Sequence, residues 1–474
     1  MLVESTRLAG TSIWRQALPP PESSPAGADL AEEVDLAVIG GGLTGLSAAY
    51  HVLAANPGAR VLLLESERIG HGASSRSTGM LTPGVGQDLG SIVKRFGADA
   101  ARAMYLASLR AVEYVGELTD REGIDAGLRM TGQLVVAQGR SGRRRLARQA
   151  ELMERLGLPC ERLDGGRLRE RLRVAADVPG TGDEGPAALR LPTAGVLHPG
   201  RLLVGLTEAV TRRGGRILEG AKVVAVSRGA PARVRLADRR EVVAGHVVVA
   251  SSGYASTLNL QHGRLIPLHL RLLLTEPLSG AQLGGLGWPG REGVIDSRRV
   301  FNYFRLTDDD RILFGGGRPR YLWGGGLADR PAEGPDLDRL VGAFRRQFPA
   351  LADLPIARSW TGVIAYTLDT LPVIAPAPGH ERVLFVGGWC GHGIALSVFS
   401  GRWVQEWMAE GKPREVLPWS RPRPPRAPTE AGRWLAARTA GWAMEQMDRM
   451  GCERSGAGFS RTTTQIVRAL TGPR

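Results

Sequence analysis

The chain has 474 residues, 43% apolar and 23% charged, enough for two folded units, and no stretch reaches the ~20 apolar residues of a membrane-crossing helix. Three scattered cysteines, Cys160, Cys390 and Cys452, make no disulfide framework, and Glu4 with no apolar run behind it argues against a secretory leader, so a reducing, cytoplasmic compartment is expected. The formal net charge of +14 rests on arginines that are dispersed apart from Arg143–Arg145 and the C-terminal tail, the only lysines being Lys94, Lys222 and Lys412; it reads as an arginine-rich composition, with nucleic-acid or anionic-membrane binding the sharper alternative and no nucleic-acid motif behind it.

Residues 1–33 are rich in Pro, Ser and Ala and read as an irregular lead-in. Residues 34–65 then form one strand–turn–helix–strand unit. Val34 to Ile39 is an apolar run suited to a strand buried on both faces. Gly40, Gly42 and Gly45 follow at G-x-G-x-x-G spacing. The first permits a sharp turn, the second lets a pyrophosphate reach the backbone, and the third lets the following helix pack on the strand. That helix spans roughly 43–55, points its free N–H groups and positive dipole end at the phosphate, and ends at Asn56-Pro57-Gly58. A second strand, Arg60 to Leu64, leads to Glu65, twenty residues beyond Gly45. A carboxylate there accepts hydrogen bonds from ribose hydroxyls and repels a 2′-phosphate, which disfavours NADP. The next stretch, RIGHGASSRSTGML, is polar and rich in Gly and Ser, where a nicotinamide enzyme would continue into another βα unit. Ser74, Ser75, Arg76, Ser77 and Thr78 supply the hydroxyls, guanidinium and backbone donors that a pyrophosphate and flavin ring require.

Residues 92–118 carry an i, i+4 apolar stripe, a helix of the kind that covers a sheet. A strand is expected over 131–137 and a basic amphipathic helix over 141–156. A helix over 199–213 ends at Gly214-Gly215, a strand pair follows, and alternating strands fall at 232–236 and 241–250. Residues 263–317 read as a second sheet, with Asp308-Asp309-Asp310 at a hairpin tip. A helix covers 336–348. Arg382 to Val386 is a buried strand ending in Gly387-Gly388, and a helix starts near Gly393. The segment 411–474 opens with a Pro/Arg linker, continues as a helix carrying Trp434 and Trp442, and ends in a mobile tail.

GGGLTGLSAAYH, LLLESERIGHGASSRSTGM and the stretch SWTGVIAYTLDTLPVIAPAPGHERVLFVGGWCGHGIALSVFSG resemble the D-amino-acid-oxidase superfamily of FAD enzymes, over roughly residues 10–425. The γ-glutamylputrescine oxidoreductases are most similar in pattern, through the GASxRxxG loop and a short Trp-containing lead segment, here Ser12-Ile13-Trp14. The resemblance implies an α/β fold: a discontinuous Rossmann-like FAD-binding domain (34–90, 190–260 and 356–410), with a central parallel sheet and a β-meander, and a smaller α+β substrate domain (91–189 and 261–355) with a mixed or antiparallel sheet roofing the flavin. Residues 411–474 form an extension.

The resemblance also implies a cofactor site. Gly40, Gly42, Leu43, Thr44 and Gly45 meet the pyrophosphate, and Glu65, Ser66 and Arg68 the ribose side. Gly72, Ala73, Ser74, Arg76, Ser77, Thr78, Gly79 and Met80 form the flavin loop. Val223 and Val224 lie near the adenine, with Ser251 and Gly253 closing a turn. Gly388, His392, Gly393 and Ile394 hold the edge of the flavin that becomes anionic on reduction. FAD is expected to be noncovalent, because Ile364-Ala365 occupies the region of the cysteine that links the flavin in sarcosine-oxidase relatives; Cys390, in the flavin-edge loop, is a minor candidate for a covalent or redox role. No metal is expected.

The implied reaction is oxidation of a C–N bond in an amine or amino-acid derivative by hydride transfer to the flavin, with O2 or another acceptor closing the cycle. A 2-hydroxy-acid substrate and a non-catalytic flavin-containing binding protein are the alternatives. Glycine-oxidase-like members place an arginine two residues after the Gly of a WxG motif, where it clamps a substrate carboxylate; here Trp360-Thr361-Gly362 is followed by Val363-Ile364, which tilts the substrate towards an amine, unless Arg305 or Arg76 replaces the clamp. A lysine tied to oxygen reactivity in sarcosine-oxidase-like members is replaced near Leu313, so another electron acceptor stands open. Tyr303 and Arg305 on one strand, Tyr366, and His392 before the helix are the candidate catalytic residues. Solvation, core packing and helix capping are the respective alternatives. His198 and His269 read as structural, and Trp389 as a flank of the ring or core filling.

Overall fold

The computed structural model describes residues 12–19, 33–174, 186–258, 260–328 and 334–452, with side chains up to 448. The expectations for 1–11, 20–32 and the end of the tail lie outside the described residues. The first apolar run becomes the strand Glu33–Ile39, at the centre of an eight-stranded sheet. Its parallel neighbours are Val61–Leu64 and Glu241–Val249; Arg216–Leu218 and Val383–Gly387 extend the parallel pairing on either side. Val373–Pro376 closes one edge antiparallel, and Val223–Val226 with Ala232–Leu236 forms the meander. The central strand is buried on both faces: Leu36 and Val38 join a helical core, while Ala37 and Ile39 join the core under the meander.

The helical layer packs tightly for a local reason. A Cβ at Gly401, in the helix Gly393–Glu410, would stand 2.3 Å from both the Ser47 carbonyl oxygen and His51 Nδ1 in the helix Leu43–Ala55. At this contact His51 is buried, with Nδ1 2.7 Å from the Ser47 carbonyl and Nε2 2.6 Å from the Tyr114 hydroxyl. That pairing suits a neutral imidazole that donates from Nδ1 and accepts at Nε2. Burial, aided by Arg402 and Arg121, pushes its pKa down to about 4 from 6.5. Above pH 6.5 the imidazole is neutral folded and unfolded, and the fold carries no penalty. As pH falls from 6.5 towards 4 the unfolded chain takes the proton first, and stability drops by about 3 kcal/mol. Thermal unfolding at pH 7 and pH 5 is expected to show this acid loss, and His51→Gln to flatten it. An equal acid loss in the variant would assign it to other groups.

The second sheet also has eight strands, in the order Ile356–Tyr366, Ile266–Thr275, Ile312–Arg320, Tyr303–Leu306, Gly293–Asp296, Gln133–Val136, Ala188–Leu191 and Glu161–Leu163. Leu134, Val294, Phe304, Phe314 and Leu273 face outward onto Leu340 and Phe344 of the helix Pro335–Gln347. The alternate residues, including Ile295, Tyr303, Gly315, Leu272 and Trp360, share the inner face by register.

Three expectations need correction. The strand Ile356–Tyr366, assigned to the dinucleotide unit, pairs along its length with Ile266–Thr275 and belongs to the second sheet, as does Ala188–Leu191 at the other boundary. The expected helix over 92–118 is two helices, Leu89–Phe96 and Ala98–Glu122, broken at Gly97 with φ +85°. Assigned to the substrate unit, they bury Ile92, Met104, Val112 and Val115 in the core of the dinucleotide unit instead. In the lead-in, 12–19 is not irregular: Ile13–Ala17 is a 3-10 helix, and Trp14 is buried.

Candidate active site

The glycine turn forms as the spacing predicts. Gly40 has φ +112°, and a Cβ there would meet the Ala250 carbonyl oxygen at 2.9 Å. A Cβ at Gly45 would stand 1.9 Å from the Gly40 carbonyl oxygen, so the helix start lies directly on the strand end. Glu65 is buried, with one carboxylate oxygen accepting from the Gly41 N–H at 2.7 Å and the other from the Glu67 N–H at 2.9 Å and the Ser66 hydroxyl at 3.2 Å. The carboxylate is thus fixed beside the turn, where the ribose of a dinucleotide would lie. The Ser74 hydroxyl accepts from the Leu43 N–H at 3.0 Å, tying the flavin loop to the helix start. Ser251 abuts Gly40, and its buried hydroxyl has no partner. Val223 is buried while Val224 is exposed. Arg68 donates to the Pro19 carbonyl.

The flavin loop is held by side chains from several elements. Arg76 is 4% exposed and donates to the His71 carbonyl at 2.9 Å and the Thr361 carbonyl at 3.1 Å. The Trp360 indole N–H returns to the Arg76 carbonyl at 3.1 Å. The Trp14 indole N–H donates to the Ser77 carbonyl at 2.7 Å. Arg305, 2% exposed, reaches the carbonyls of Leu197 at 2.7 Å, Leu306 at 3.0 Å and Gly79 at 3.3 Å. Burial lowers its pKa to about 10, still charged at neutral pH. Both arginines thus bond backbone carbonyls of and around the loop and hold its path.

Tyr303 and Tyr366 both lie on the inner face of the second sheet. Tyr303 lies flat over Gly315, where a Cβ would meet its ring at 2.4 Å, and burial raises its pKa. Around them Ile266, Leu268, Leu270, Ile295 and Ile364 are all half-buried, an apolar wall with no cation among them. Leu313 is buried with Trp14, Leu274 and Trp360.

His392 caps the helix Gly393–Glu410 without a side-chain hydrogen bond. Its Nδ1 is buried with no partner, and burial lowers its pKa, leaving a neutral ring. The flavin-edge loop carries Gly388 at φ +72° and Cys390 at φ +50°. The Cys390 thiol donates to the Gly388 carbonyl at 3.2 Å and faces the Thr367 N–H at 3.4 Å; burial raises its pKa to about 11, against a reactive thiolate. The Trp389 indole N–H is spent on the Thr44 hydroxyl at 3.1 Å. His198 packs its ring on Trp14, and His269 bonds the Gly326 carbonyl at 2.9 Å, both structural positions.

The residues present fit FAD. The turn leaves its backbone donors against a cradle that a Cβ would fill, and Gln87 Oε1, Thr370 Oγ1, Ser251 Oγ and His392 Nδ1 are buried polar atoms with no protein partner. Two features carry no clear signal in the sequence motifs. A Cβ at Gly86 would lie 2.5 Å from the Cys390 Cβ, so the segment after the flavin loop seats the flavin-edge loop. Gln133, 1% exposed, points its amide nitrogen at the Met80 sulfur at 4.0 Å and leaves its Oε1 unpaired. A lone polar residue opening an apolar strand is the one hint the sequence offers of it. Among the described residues no His, Cys, Asp or Glu cluster could hold a metal, and no helix is long and apolar enough to cross a membrane.

The family model for FAD dependent oxidoreductases matches residues 35–407. The chain is 32% identical to γ-glutamylputrescine oxidoreductase of Escherichia coli K12 over 376 residues, 78% of this chain and 83% of that protein. It is 25% identical to glycine oxidase of Bacillus licheniformis over 382 residues, 80% of this chain and 94% of the relative. Among solved structures, glycine oxidase from Geobacillus kaustophilus superposes with a TM-score of 0.66 at 21% identity, covering 82% of this chain and 98% of that one. L-proline dehydrogenase from P. horikoshii gives 0.67 at 21% identity, covering 83% and 98%. The chain belongs to the FAD-dependent oxidoreductase family: it is a flavoprotein enzyme whose cofactor is FAD.

Proposed function

We propose that this enzyme oxidises the C–N bond of an amine or amino-acid derivative that carries no carboxylate on the reacting carbon. The observation that carries this reading is the wall facing the flavin loop: half-buried apolar side chains around Tyr303, with the buried Arg76 and Arg305 both bonded to backbone carbonyls. An α-carboxylate brought there would lose its water and find no guanidinium in exchange. The relatives' names agree on the broad chemistry, since a γ-glutamylputrescine oxidoreductase and a glycine oxidase are among them.

FAD, when bound, supplies the acceptor for a hydride leaving the substrate carbon. The protein's share is to orient and to exclude water. The apolar wall favours the free-base amine over its ammonium form, because burying the charge costs more than burying the neutral group. The N-terminus of the helix Gly393–Glu410, with the neutral His392, would hold the edge of the bound cofactor that gains negative charge. The imine formed would hydrolyse after release, so no protein acid–base pair is required.

The electron acceptor is proposed to be other than O2. The only lysines, Lys94, Lys222 and Lys412, all lie outside the second sheet, so no strand of it carries an ammonium. Anaerobic addition of a panel of polyamine derivatives, N-methyl amines, α-amino acids and 2-hydroxy acids tests the reading. The visible flavin band is expected to bleach with carboxylate-free amines and to return slowly in air, and faster with an artificial acceptor. Bleaching by 2-hydroxy acids alone would replace the reading, and bleaching by none would favour a binding protein.

A further inference from the structure

The helix Glu430–Cys452 lies outside the 35–407 stretch shared with the family. It is anchored by three acids on one face. The Glu430 carboxylate accepts from the Tyr321 hydroxyl at 2.8 Å and the Gly324 N–H at 2.6 Å. Glu445 pairs with Arg318 Nε at 2.8 Å, next to Gly441, where a Cβ would be 2.8 Å from the Arg318 side chain. Asp448, its side chain 9% exposed, accepts from two successive backbone donors, the Arg299 N–H at 3.0 Å and the Val300 N–H at 2.9 Å. Ala431, Leu435, Arg438 and Trp442 form an exposed stripe beside it.

The gripped segments are specific ones. Residues 297–302 form a loop whose base is closed by the buried Asp296 carboxylate, which accepts from the Asn302 N–H at 3.1 Å and its side-chain amide at 3.0 Å. The tip is closed by Asp448. Directly after the loop stands Tyr303, with the exposed Phe301 ring 5.7 Å from it. Arg318 lies in, and Tyr321 directly after, the strand whose Gly315 lies under the Tyr303 ring. The helix therefore bridges the 297–302 loop that leads into Tyr303 and the strand that pairs with it.

We propose that the C-terminal helix is a strap that sets access to the inner face of the second sheet at Tyr303, and that Asp448 is a positioning residue acting through the 297–302 loop. Two adjacent amides sharing one carboxylate hold a loop tip more firmly than turn contacts alone, because charge-assisted bonds are the stronger kind. Asp448 touches no reacting group; it fixes the backbone that carries Phe301 and Tyr303. The proposal rests on the functional reading above only for the class of substrate.

The test uses the full-length holoenzyme and its D448N and E445Q variants, with a chain ending at residue 428 as a third form. In D448N the amides of Arg299 and Val300 are expected to exchange hydrogen about tenfold faster, with flavin content and visible spectrum unchanged. Acrylamide quenching of flavin emission is expected to rise. The half-saturating concentration of a bleaching amine is expected to rise about fivefold while the limiting reduction rate holds. Unchanged exchange in D448N overturns the strap, and so does faster exchange with unchanged quenching and amine affinity. If the shortened chain misfolds, the two point variants decide the question by themselves. If no amine bleaches the wild-type flavin, the functional reading fails, and exchange and quenching still test the strap.

Discussion

Gly45→Ala is expected to yield a protein that purifies without flavin. The added Cβ would stand 1.9 Å from the Gly40 carbonyl oxygen, 3.1 Å from its carbonyl carbon and 3.2 Å from a Val38 methyl, and the first two are backbone atoms that no rotamer change can move aside. The helix Leu43–Ala55 must lift off the strand end, an overpacking cost of about 1–3 kcal/mol in the protein itself. The larger loss falls on the cofactor. The donors of the turn and the first helical residues are placed by that contact, and charge-assisted bonds to a pyrophosphate are worth about 1.5–3 kcal/mol each. Misplacing two of them weakens FAD binding by about 100-fold or more. Flavin content after purification and a titration of apoprotein with FAD measure the effect. Gly58→Ala is the control: a Cβ there meets only the Asn56 side chain, at 3.6 Å, and flavin loading should match wild type. Full loading of Gly45→Ala would mean that this turn is not the pyrophosphate cradle.

That cradle is legible in the sequence because its physics is local. Turn, helix start and carboxylate fall within one short stretch, and each glycine answers to a backbone approach that spacing alone reveals. The inner-face placement of Tyr303 and Arg305 is legible too, from strand alternation. What Arg305 does there is not: its partners are the carbonyls of Gly79 and Leu197, and no sequence pattern announces an unpaired carbonyl on another element. The same gap explains the misassigned strand. Ile356–Tyr366 adjoins the flavin-edge motif in sequence, which groups the two together, yet its hydrogen bonds go to Ile266–Thr275, some ninety residues earlier. Helix Ala98–Glu122 shows the reverse case, an amphipathic stripe plain in the sequence but with no indication of which core it would enter.

The lead segment gives the second large effect. Trp14 is 3% exposed and packs with Leu272, Leu274, Leu313 and Trp360 from the second sheet. The His198 ring meets it edge-on at 4.6 Å and the Arg305 guanidinium lies 5.7 Å from its ring centre. Its indole N–H holds the Ser77 carbonyl, and its own carbonyl lies against Gly200, where a Cβ would be 2.1 Å away. One residue thus wedges the flavin loop, the second sheet and the helix Pro199–Arg212 together. Trp14→Ala removes the buried ring and is expected to cost about 3–5 kcal/mol. Because the wedge bears on Ser77, that loss should appear in FAD affinity as well as in thermal stability, and added FAD should recover part of the unfolding temperature. Trp14→Phe keeps most of the packing and loses only the bond to Ser77, so it should retain most of the stability and show a smaller loss of FAD affinity. A Trp14→Ala protein with lower stability but wild-type FAD affinity would reduce the segment to core filling. One unchanged in both would mean that residues 12–19 do not sit on the flavin loop in solution.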